Sequence, residues 1–139
     1  MTSPAISVTD RNMPVPTIKI FFDGGCRPNP GQMETAVVAR GITYHQPDCG
    51  IGTNNDAEWL ALIHAAEIAL SISTRNVVML GDSALVVGQA NGVAKCRSQE
   101  LFAHFMKFQD LACNFESIKI RRVGRSQNLA GIALDKMRR

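Results

Sequence analysis

Apolar positions along this chain fall first into short unbroken runs and later into helical spacings. From Thr17 the run IKIFF (18–22) is β-branched and aromatic and stops at Asp23-Gly24-Gly25, which predicts a strand ending in a turn. The stretch CRPNPGQ (26–32) reads as a loop from its prolines and glycine. TAVVARG and ITYHQ read as two more strands joined tightly at Gly41, so that 17–50 form an antiparallel meander. Then the period changes. Residues 56–72 are rich in Ala and Leu at helical spacing, and Asn55 three residues before Glu58 predicts the helix start. NVVML (76–80) is wholly apolar, suited to a strand covered on both faces. A short helix over ALVVGQAN, an amphipathic helix over 98–113, a strand over 117–123 and a helix over 127–138 complete the order β-β-β-α-β-α-α-β-α.

That order predicts an α/β fold: a mixed five-stranded sheet, three antiparallel strands and then parallel ones, with helices on both faces. Residues 1–16, with Pro4, Pro14 and Pro16, show no periodicity and are expected to form a disordered leader before one domain over 17–139. Composition is ordinary for such a domain, 45% hydrophobic and 19% charged, and excludes a disordered chain. The net charge of +3 is mild, but Arg121, Arg122, Arg125, Lys136, Arg138 and Arg139 all fall near the C-terminus, which suits an anionic partner such as nucleic acid. Cys26, Cys49, Cys96 and Cys113 have neither zinc-site nor redox spacing, so reduced thiols and a cytoplasmic location are expected. No run resembles a signal peptide or reaches the length of a membrane span, and no membrane or obligate protein partner is expected.

Two acids stand where strands are predicted to end, Asp23 and Asp82, and Glu58 lies in the first turn of the long helix. Each has an ordinary explanation: a turn residue, the N-cap of the helix after Ser83, the capping-box partner of Asn55. The three coincide less easily. Carboxylates converging at one sheet edge repel unless cations lie between them, and hard oxygen ligands with open positions suit Mg²⁺ or Mn²⁺.

FFDGGCRPNPG (21–31), GTNNDAEWLALIHAAEIAL (52–70), VVMLGDSALVV (77–87) and SIKIRRVGRSQN (117–128) together resemble the type 1 ribonuclease H family over roughly residues 17–134. The Asp-Gly-Gly-Cys and Thr-Asn-Asn-x-x-Glu elements carry most of that resemblance. It implies the ribonuclease H-like fold and hydrolysis of the RNA strand of an RNA–DNA hybrid by two divalent cations on Asp23, Glu58 and Asp82. It further implies substrate contacts by Cys26, Asn29, Asn54 and Asn55 across the minor groove, by Thr53 on a DNA-strand phosphate, and by Arg125, which stands where the family has a loop His. A fourth family Asp corresponds here to Ile132, or to Gly131 if the alignment is tightened by one, so Asn128 or Asp135 is left to complete the second metal position. The tryptophans and basic run that some members carry after the Asp-Ser strand are absent. His45, His64 and His104 lie away from these motifs, and Trp59 is expected to pack beside the site. The alternative expectation is a catalytically weakened or inactive hybrid- or RNA-binding domain of the same fold; an exonuclease of that fold is a third.

Overall fold

The structure, a computed structural model, describes residues 16–138; the expected leader lies, but for Pro16, outside the described residues. Strands β1 (Ile18–Cys26), β2 (Gly31–Ala39) and β3 (Ile42–Gln46) form the meander, and the two-residue β4 (Ile51–Gly52) pairs with the start of β2. Helix α1 (Asn54–Ser71), β5 (Asn76–Gly81), α2 (Ala84–Ala90), α3 (Gln99–Ala112), β6 (Ser117–Arg122), a 3-10 turn (Arg125–Gln127) and α4 (Leu129–Met137) follow. The main sheet runs β3-β2-β1-β5-β6, with β1–β2 and β2–β3 antiparallel and β1–β5 and β5–β6 parallel. This is the mixed α/β architecture expected from the periodicity.

Two local readings change. The first strand does not stop at Asp23 but continues to Cys26, pairing Gly24 with Thr35 and Gly25 with Glu34. The glycines that read as a turn are strand glycines: a Cβ on Gly24 would collide with the Ala57 carbonyl, so the missing side chain lets α1 approach β1 closely. The second correction concerns the start of α1. Thr53, not Asn55, is its N-cap, and the capping box is Thr53 with Asp56. Glu58 therefore has no capping duty.

One face of the sheet is covered by α1, whose Ala57, Ala61, Ala65, Ala66 and Ala69 keep it close, with Trp59 and Leu62 filling the space among Ile20, Phe22, Val37, Val77, Met79 and Phe108. The other face is covered by α4, where Ala130 and Leu134 bury against Ala36 and Val38. On the α1 side, Val77 and Met79 of the apolar β5 join this core.

Strand lengths place the site. The β1–β5 pairing ends at Phe21 opposite Leu80, whereas β1–β2 pairing runs on to Cys26. Beyond Phe21, β1 therefore overhangs the end of β5, with Asp23 on the overhang and Asp82 just after β5. Such a strand end in an open sheet is where ligands enter.

Candidate active site

Asp23, Glu58 and Asp82 each bring one carboxylate oxygen into a cluster whose members lie within 4.8 Å of one another. Three elements converge to do this: β1, the first turns of α1, and the β5–α2 junction. Glu58 Oε1 accepts a hydrogen bond from the Gly24 N–H at 3.0 Å, a contact that the close approach of α1 permits. Asp82 Oδ2 accepts from Asn128 Nδ2 at 2.8 Å; that same nitrogen donates to the Phe22 carbonyl at 3.0 Å. Asn128 is fully buried, and its Oδ1 caps α4 by accepting from the Ala130 N–H. The amide therefore turns its nitrogen, not its oxygen, to Asp82.

Crowding of like charge in a closed space shows in the acidities. Burial, reinforced by Asp23 and Asp82, pushes the Glu58 carboxyl up to about 9. Burial also raises Asp23 to about 6, with Arg125 pulling it down and Asp82 pushing it up. At neutral pH the metal-free cluster therefore holds a proton on Glu58. The donors fit a divalent cation: hard oxygens, close together, with the half-buried Glu58 carboxylate short of positive charge.

The positive charge present is Arg125. Its Nη1 donates to Asp23 Oδ1 at 2.9 Å and to Asp82 Oδ2 at 3.0 Å, and its Nη2 to Asp135 Oδ1 at 3.2 Å. Gly131 makes room for it, because a Cβ there would lie 2.9 Å from Nη1 and 3.5 Å from Asp23 Oδ2. Gly131 is thus the α4 residue that faces the acids. Ile132 is turned outward, exposed beside Leu129, Val38 and Thr43. Of the two positions considered for a fourth acid, Gly131 points at the cluster and Ile132 away from it. Asp135 meets the cluster through Arg125.

A second polar group adjoins the acids. Asn54 Oδ1 accepts from the Cys26 N–H at 3.0 Å, and Asn29 Oδ1 accepts from the Asn54 N–H at 3.1 Å, so Cys26, Asn29 and Asn54 form one unit at the β1–β2 turn and the start of α1. Thr53 is committed to its capping box and Asn55 is exposed. His104, expected away from these motifs, instead pairs through Nε2 with Asp56 Oδ1 at 3.1 Å and ties α3 to that helix start. His64 is a core residue bonded to Thr35 Oγ1, and Trp59 packs in the core while its indole N–H donates to Gln89. Arg138, legible in the sequence only as part of a basic C-terminus, lies against Gly25 beside Asn54.

Comparison with known proteins agrees with this geometry. A family model described as reverse transcriptase-like matches residues 22–137. A ribonuclease HI of Halobacterium salinarum is 33% identical over 128 residues, and a bifunctional protein of Mycobacterium tuberculosis is 32% identical over 129. Each match takes in 85% of this chain but only 64% and 35% of the relative's own length. Among solved structures, ribonuclease H1 of the same Halobacterium superposes with a TM-score of 0.80 at 29% identity, covering 86% of this chain and 94% of that one. LC11 ribonuclease H1, solved with an RNA/DNA hybrid, gives 0.75 at 29% identity, over 88% and 100%.

Proposed function

Because the chain belongs to the reverse transcriptase-like family, we propose that it is an endonuclease that hydrolyses the RNA strand of RNA–DNA hybrids and leaves a 5′-phosphate. The carrying observation is the convergence of Asp23, Glu58 and Asp82 beside the Cys26–Asn29–Asn54 unit. The ribonuclease HI and H1 relatives, one of them solved on a hybrid, support the choice of substrate. Two Mg²⁺ or Mn²⁺ ions held by the carboxylates would activate a water and stabilise the leaving 3′-oxygen. Asp23, Glu58 and Asp82 would hold these ions. Asn128 would hold Asp82 in place through its amide nitrogen. Asn29, Asn54, Asn55 and the Cys26 backbone would read ribose hydroxyls and base edges, which DNA duplexes do not offer in the same form. Thr53 would take a DNA-strand phosphate at the α1 start. Arg125 neutralises the acids in the metal-free protein and would turn to phosphate once cations take over that task. The four unpaired cysteines fit a reducing compartment such as the cytoplasm.

A second reading is hybrid binding without cleavage. It is favoured by Gly131 facing the three acids with no carboxylate of its own, and by Arg125 filling the room. A labelled hybrid incubated with Mg²⁺ and separately with Mn²⁺ separates the two. Cleaved RNA supports the first reading, and intact RNA on a bound protein supports the second.

A further inference from the structure

Between the acid cluster and the asparagine unit, β1 carries no side chain: Gly24 and Gly25 fill the interval from Asp23 to Cys26. Over Gly25 lies the Arg138 guanidinium, with Nη2 2.8 Å from where a Gly25 Cβ would stand and Asn54 Oδ1 3.6 Å from the same point. Glu34, the cross-strand partner of Gly25, accepts from Arg138 Nε at 2.8 Å, and its other oxygen pairs with His45 Nε2 at 2.9 Å. Arg138 Nη2 is shut from solvent and has no acceptor among the described residues. Its charge is close enough to draw the Asp23 carboxyl slightly downward in pKa, against the larger upward push of burial.

We propose that Arg138 is a phosphate contact for the RNA strand, held by Glu34 on the path between the ribose-reading asparagines and the metal-binding acids. This rests on the hybrid-cleaving reading above. A strand read at Asn54 and cut at Asp23 must pass over Gly25, and Arg138 is the cation beside that glycine. A helix end tied to β2 needs only the Nε–Glu34 bond. A buried N–H left without a partner is what an incoming phosphate oxygen would satisfy. Nη2 itself is covered and the side chain keeps only 15% of its surface exposed, so the oxygen reaches that nitrogen as the guanidinium swings outward from Gly25. Gly25 is then small for a reason besides strand geometry, since a Cβ there would push the guanidinium aside.

The test is fluorescence anisotropy of a labelled RNA–DNA hybrid with the full chain in Ca²⁺, repeated over a series of KCl concentrations. Arg138→Gln can keep a hydrogen bond to Glu34 but carries no charge, and Arg138→Ala removes both. Both should weaken binding roughly tenfold, the loss of one charge-assisted hydrogen bond. Both should also flatten the slope of log K against log salt by about one. Glu34→Gln removes the opposing charge and should leave binding unchanged or tighter. A merely structural Arg138 would lower Tm in its variants and leave the salt slope untouched; that outcome overturns the proposal, as does equal weakening by Glu34→Gln. Should the unaltered protein fail to bind the hybrid at all, the substrate reading itself falls and takes this contact with it.

Discussion

Replacing Glu58 with Gln should stabilise the metal-free protein while destroying its response to metal. In the fold this carboxyl titrates at about 9 against an ordinary 4.5. A group with a raised folded-state value contributes most below its unfolded value, and that contribution is lost as pH climbs towards the folded one. Over the roughly 2.5 pH units between 4.5 and 7, at 1.36 kcal/mol per unit, the loss is on the order of 3 kcal/mol. Asp23, raised from 3.8 to about 6, adds a smaller loss that is complete near pH 6. A glutamine keeps the neutral shape and can still accept from the Gly24 N–H, so it escapes the larger loss. In EDTA, the native protein should therefore lose Tm steadily from pH 5 to pH 9, and Glu58→Gln should show a flatter profile and the higher Tm at pH 8. With Mn²⁺ the order reverses, because the cation stabilises only the carboxylate form. Thermal melts in a buffer series read both effects. If Glu58→Gln melts at or below the native protein in EDTA at pH 8, with a parallel pH profile, the carboxyl is not desolvated as described.

Four further outcomes follow from the same geometry. Metal binding at pH 7 should release close to one proton per protein, mostly from Glu58, measurable by calorimetry in buffers of different ionisation enthalpy. Gly131→Asp should place a carboxylate at the cluster, displace Arg125 and tighten Mn²⁺ binding, whereas Ile132→Asp, facing outward, should leave it unchanged; titration calorimetry reads both. Gly24→Ala should cost about 2–3 kcal/mol or more in denaturant unfolding, since α1 must retreat from its new methyl. Asn54→Ala, which removes the acceptor for the Cys26 N–H, should lower hybrid cleavage several-fold while the circular dichroism spectrum stays native.

The sequence makes α1 and α3 legible through apolar residues at helical spacing, and β5 through an unbroken apolar run. Short-range conformation was less readable. Gly24-Gly25 has the composition of a turn, but pairing with Thr35 and Glu34 makes it a strand, and the approach of the Ala57 backbone, which lies in another element, explains why Gly24 has no side chain. At the α1 start, Thr53 and Asn55 are both good caps, and the choice of Thr53 depends on Asp56 folding back. The two-residue β4 has no period to detect. Asp82 stands at the strand end where it was expected and Asp23 lies inside β1, but the ion pairs they make were not legible: Arg125, expected on substrate, finds Asp23 and Asp82 across 102 and 43 residues of chain. No spacing rule reaches Arg138, whose partner Glu34 lies 104 residues away.

The most direct measurement is a cleavage assay on an RNA–DNA hybrid labelled on the RNA strand, comparing the native protein with Asp23→Asn in Mg²⁺ and in Mn²⁺. We expect the native protein to cut the RNA within the strand, leaving 5′-phosphate ends, faster in Mn²⁺, and to spare the DNA. Asp23→Asn should fold, bind hybrid and cut nothing. Native protein that binds the hybrid but cuts no more than Asp23→Asn with either metal would contradict the assignment of these three carboxylates to catalysis.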